Sequence, residues 1–172
     1  MDFCHNENTE NVTKQFHQAC IKGDLEKVTN LLSRKEEINV KQLDQNDTLE
    51  KVVKNGNSEI VKLLLKLDVN VNKKDMFFGA TPLFWACGKS KLPIAELLLE
   101  NGAEVDEIVK LSNVTQTFLH NAVFHQNATL VNFLLENGCK TDVRNEKGLT
   151  AFEYAMSKKY VDIAKVIAFN NK

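Results

Sequence analysis

Apolar and polar positions recur along the chain in one repeated phrase. In Thr81-Pro82-Leu83-Phe84-Trp85-Ala86-Cys87, the residues Leu83, Ala86 and Cys87 fall at i, i+3 and i+4. That spacing predicts one face of a short helix, with small side chains where a neighbouring helix must come close. Thr81 before Pro82 predicts its start: the hydroxyl caps free amides and proline suits the first turn. Ser90 to Pro93 reads as a turn, and Ile94, Leu97 and Leu98 as the apolar face of a second helix. Asn101-Gly102 closes it, glycine supplying the left-handed conformation of a C-terminal cap.

The same phrase returns four more times. Its leading apolar residues are Phe16, Leu49, Leu83, Leu119 and Phe152, spaced 33, 34, 36 and 33 residues apart. Ten helices in five units follow, at about 13–45, 46–78, 79–114, 115–147 and 148–172. Residues 1–12 are expected to form a disordered polar tail, with Thr13 as the N-cap before Phe16. Unit two departs most, with Asp47-Thr48 in place of Thr-Pro and Asp68 where glycine would end the second helix, so this end is expected to fray. Unit five keeps Gly148-Leu149-Thr150 and a last helix from about Val161 to Phe169. A period near 33 with a T-P-L-H-x-A-like opening resembles the ankyrin repeat family. The resemblance covers about residues 13–169. It implies an all-α solenoid with short β-hairpin-like turns, in which each unit is stabilised by its neighbours rather than by a central core.

Charge changes the picture little. The formal net charge is −1, with lysines and acids interspersed, so bulk attraction to nucleic acid or anionic lipid is not expected. No run approaches the roughly 18 apolar residues of a membrane span, and Met1 to Asn11 lacks an apolar signal segment. Cys20, Cys87 and Cys139 occupy packing positions and are expected as buried free thiols in a reducing compartment, with Cys4 exposed. These features point to the cytoplasm, with the nucleus also open. The Asn-x-Thr triplets at Asn11, Asn46, Asn113 and Asn127 would need secretion to act as glycan acceptors.

Candidate chemistry is sparse. His17 and His120 stand on the His of the repeat line, where the resemblance implies ring hydrogen bonds to repeat backbone. Cys4-His5 has no second pair to complete a metal site, and no phosphate loop, nucleophile elbow or Cys-x-x-Cys occurs. No enzyme, cofactor, metal or small-molecule substrate is expected. The surface says more. The resemblance implies partner binding through turn tips and the inner face of each first helix. The turn before unit three carries Met76, Phe77 and Phe78 where polar residues are expected, and one of them is expected to fold back over its neighbours. The longer turn before unit four carries Ile108 and Leu111; Lys89, Phe124 and His125 complete the expected partner-binding set. Trp85 is assigned to core packing. The function expected is a non-enzymatic module that binds a protein on its concave face as adaptor or inhibitor. Two narrower readings stand beside it. One is an IκB-like inhibitor of Rel/NF-κB-type factors, resembling the small viral IκB-like proteins. The other is a regulatory subunit of a larger enzyme or transcription complex, without direct nucleic-acid contact.

Overall fold

The computed structural model describes the backbone of residues 3–105, 108–111 and 114–170, and the side chains of 9–105 and 117–170. The helices are α1 (Phe3–Lys22), α2 (Leu25–Leu32), α3 (Val40–Gln45), α4 (Thr48–Asn55), α5 (Ser58–Leu65), α6 (Pro82–Gly88), α7 (Leu92–Glu100), α8 (Phe118–Phe124), α9 (Ala128–Glu136), α10 (Ala151–Ser157) and α11 (Val161–Asn170). A 3-10 turn, Lys35–Glu37, precedes α3, and strands β1 (Ile108–Leu111) and β2 (Val114–Thr117) form an antiparallel hairpin with Leu111 opposite Val114. The protein is an all-α solenoid of paired helices.

The caps form for the reasons their residues suggest. The Thr81, Thr117 and Thr150 hydroxyls accept the Phe84, His120 and Glu153 amides. Glu153 returns the bond by accepting the Thr150 amide at 2.8 Å, completing a capping box. Within each unit the second helix lies against the first: α2 on α1, α5 on α4, α7 on α6, α9 on α8 and α11 on α10. The first helices also stack in sequence, α1–α4–α6–α8–α10. Ala19, Ala86, Ala122 and Ala155 are buried at these contacts, while Leu64, Leu98, Leu134 and Ile167 fill the space behind them. Polar side chains tie neighbouring units, as when Asn72 donates to the Gly102 carbonyl and accepts the Glu104 amide, both at 2.9 Å.

Three expectations are corrected. The first helix begins at Phe3 rather than after a tail ending at residue 12. Thr13 is not its cap: it is buried mid-helix, donating to the Thr9 carbonyl at 2.8 Å and accepting the Asn39 amide at 2.8 Å. It clips the connection after α2 onto α1, and buried Val12 extends the packed face toward the N-terminus. Among the described residues there are eleven α-helices instead of ten. Asn39 caps α3 by accepting the Gln42 amide, and Leu43 is buried beneath it, so the link from unit one to unit two winds into a helix.

Unit two keeps its left-handed positions without glycine. Asp68 has φ 55° and Asp47 φ 52°, and Asp47 caps nothing with its side chain but pairs with Lys73. A left-handed Asp costs less than most residues yet more than glycine. Asp68 is exposed, so Asp68→Gly is expected to raise stability by about 0.5–1 kcal/mol in chemical unfolding. An unchanged or lowered midpoint would show that chain entropy outweighs the relieved strain.

Candidate functional site

The turn between α5 and α6 is built around one carboxylate. Asp75 is 7% exposed, and its Oδ1 accepts the Phe77 amide at 2.9 Å and the Phe78 amide at 2.6 Å. Its Oδ2 accepts the Trp85 indole N–H at 3.1 Å. Backbone bonds from the Asp75 amide to the Ala80 carbonyl and from the Gly79 amide to the Asp75 carbonyl close the loop, with Gly79 left-handed at φ 64°. This is a side-chain-directed turn, the geometry that aspartate favours because its short carboxylate reaches amides two and three residues on.

The bound turn holds apolar side chains outward. Met76 is 90% exposed and Phe77 89%, whereas Phe78, at 41%, leans on Trp85 edge-on with ring centroids 6.0 Å apart. The contact continues inward from Trp85 to Phe84 (5.8 Å) and from Phe84 to Phe118 (5.6 Å), so the outer rings rest on the buried core. The opposite face of Trp85 carries the Lys54 ammonium, 3.7 Å from the ring centroid. Lys54 is also paired with Glu50 at 2.5 Å, which fixes it over the indole. Lys91 donates to the Lys54 carbonyl at 2.9 Å.

The expected binding residues therefore separate into groups. Met76, Phe77 and Phe78 stand together on the turn, with Phe78 the one that folds back. Lys89 is exposed at the end of α6. Phe124, 53% exposed, and His125 end α8, with their rings edge-on at 5.0 Å. Ile108 and Leu111 lie on β1, and their side chains fall outside the described residues, as do those of Cys4 and His5. Trp85 is a correction. It is half-buried on the surface of α6 rather than in the core, because it holds the same position as Gln18, Lys51, Asn121 and Tyr154 in the other first helices. That position points away from the second helix. Asp75, Lys54 and Trp85 were the site residues that the sequence reading passed over. The signal for Trp85 was this shared column of the repeat.

The two repeat histidines are structural. His120 Nε2 donates to the Leu149 carbonyl at 3.0 Å, leaving Nδ1 to accept the Thr117 hydroxyl proton at 2.9 Å. In unit one the Thr48 hydroxyl gives its proton to the Leu43 carbonyl at 2.8 Å, so His17 Nδ1 is the donor to Thr48, also at 2.8 Å. Each ring is neutral in its network. Burial lowers the pKa of both from 6.5, reinforced for His17 by Lys51 and opposed for His120 by the Leu149 carbonyl and Glu146. A depressed histidine pKa means the unfolded chain binds more protons below the unfolded value. Stability should therefore be full above about pH 6.5 and fall as the pH drops toward the folded pKa values. Melting temperatures between about pH 7.5 and about pH 5 check this, and His120→Gln should flatten the slope. An equal slope in that variant would assign the acid sensitivity to other groups. Burial likewise pushes the Cys20 and Cys87 thiols up to about 12, a state in which they are poor nucleophiles. Among the described residues no group of three or more His, Cys, Asp and Glu side chains is arranged to hold a metal ion. Among the same residues no helix is long and apolar enough to cross a membrane.

Comparison with known proteins agrees with this architecture. The family model for ankyrin repeats (three copies) matches residues 16–109 and 105–172. The chain is 29% identical over 157 residues to the transient receptor potential cation channel subfamily A member 1 homolog of Caenorhabditis elegans, covering 87% of this chain and 12% of that protein. It is 33% identical over 113 residues to ankyrin repeat and SOCS box protein 11 of Mus musculus, covering 66% of this chain and 33% of that protein. It is 27% identical over 150 residues to the ankyrin repeat protein FPV034 of Fowlpox virus (strain NVSL), covering 87% and 34%. The chain thus spans about a third or less of the length of these relatives. Ankyrin repeat domains are in general non-catalytic modules that bind other proteins. With its helix pairs at a period near 33 residues and a match along nearly its whole length, this chain belongs to the ankyrin repeat family and is a protein-interaction module.

Proposed function

We propose that the chain is a non-enzymatic adaptor or inhibitor that grips one protein partner on the concave side of units two to four. The observation that carries this reading is the turn at Asp75, which is bound tightly while presenting Met76 and Phe77 almost fully to solvent. Apolar surface left in water costs roughly 25 cal/mol per Å², so a turn that holds it out is suited to burying it in something else. Phe124 and His125 on α8 extend the same surface toward unit four, with the β1–β2 hairpin as a flank. An IκB-like inhibitor of Rel-type factors and a regulatory subunit of a larger complex are the narrower forms of this reading. The identity of the captured protein separates them.

The test is affinity capture followed by hydrogen exchange on the purified complex. Protection is expected over residues 74–80 and along α6 and α8. Protection confined to the outer helices α5, α7 and α9 would move the site to the opposite face.

A further inference from the structure

The lysines around Trp85 bear on what the partner offers. Lys51 and Lys54 lie one turn apart on α4, Lys89 lies one turn beyond Trp85 on α6, and Lys91 reaches across to the Lys54 carbonyl. Nearby acids are already committed: Glu50 to Lys54, Asp47 to Lys73, and Asp75 to the two amides and the indole. Among the described residues Lys51, Lys89 and Lys91 have no carboxylate partner. Lys51 donates only to the Asn46 carbonyl, at 2.7 Å, and Lys89 is exposed. Burial and the nearby Lys89 lower the Lys91 pKa, as expected where like charges crowd without a counterion. Three uncompensated cations thus border an exposed aromatic ledge on a chain whose overall charge is −1.

We propose that the occupant of this surface is an acidic peptide segment bearing an apolar side chain, its carboxylates meeting Lys51, Lys89 and Lys91 and its apolar residue seated against Met76, Phe77 and Phe78. This rests on the reading of the concave face as the protein-binding face and adds the chemistry of what binds there. Charge complementarity of this kind sets specificity and association rate, while the rings supply the buried anchor. Single-stranded nucleic acid also seeks lysines beside aromatics, but it needs open ring faces for base stacking. Here Lys54 covers one face of Trp85 and Phe78 closes its edge.

Panning a random peptide library against the whole chain tests the proposal, with Lys51→Glu/Lys89→Glu and Phe77→Ala/Phe78→Ala as comparison baits. Sequences enriched by the native chain should place Asp or Glu beside Leu, Phe or Trp. A synthetic peptide of that consensus should bind at least about tenfold more weakly to the charge-reversed variant, and more weakly at high salt. Enriched peptides with no acidic bias, or binding indifferent to charge reversal, would overturn the inference while leaving the concave-face reading in place. Peptides retained equally by the Phe77→Ala/Phe78→Ala variant would instead overturn that reading. No enrichment, or preferential capture of an oligothymidine probe over the peptide, would also overturn the proposal.

Discussion

Asp75→Ala is expected to destabilise the chain by about 2–3 kcal/mol, because it leaves two backbone amides and one indole N–H without their shared charged acceptor. The loss should appear as a lower urea midpoint. It should also appear as a red-shifted emission from Trp85, the chain's single tryptophan, since the ring would lose both its bond and the packed edge of Phe78. Asp75→Asn separates the contributions. An amide oxygen still accepts the Phe77 and Phe78 amides, while an amide nitrogen opposite the indole N–H sets donor against donor. An intermediate loss is therefore expected for Asn, with the turn kept and the ring released. Unchanged midpoints in both variants would mean that the backbone bonds of Asp75 with Ala80 and Gly79 hold the turn alone.

The paired change Phe77→Ala and Phe78→Ala is expected to weaken partner binding by about tenfold or more, as truncation of aromatic anchors does at binding hot spots. Folding should be affected far less than binding. Phe77 is almost wholly exposed, and only the edge contact of Phe78 on Trp85 is lost. Measuring affinity and melting temperature on the same preparation distinguishes two outcomes. Weak binding at a nearly native melting temperature places the rings in the interface. A collapsed melt with intact affinity per folded molecule would make them part of the fold and send the site elsewhere.

The repeat period, the threonine and proline starts, the left-handed helix ends and the histidine ties were all legible in the amino-acid order. They are local or strictly periodic, and a helix pair that buries one face on its neighbour leaves the same imprint every 33 or so residues. The exposed ledge was legible for the same reason: Met76-Phe77-Phe78 breaks the polar character that such turns otherwise carry. The N-terminal extension of α1 and the helix α3 were not legible, because they depend on long-range bonds such as the Asn39 amide on Thr13 and on the burial of Val12 and Leu43. Nor was the role of Trp85. Its hydrophobicity argued for the core, and only the stacking of α4 beside α6 showed that its column faces outward, where Lys54 could settle on the ring. Asp75 makes the same point from the polar side. In sequence it is one more acid in a turn, and tertiary structure alone decided that its two oxygens would serve three donors, one of them ten residues away.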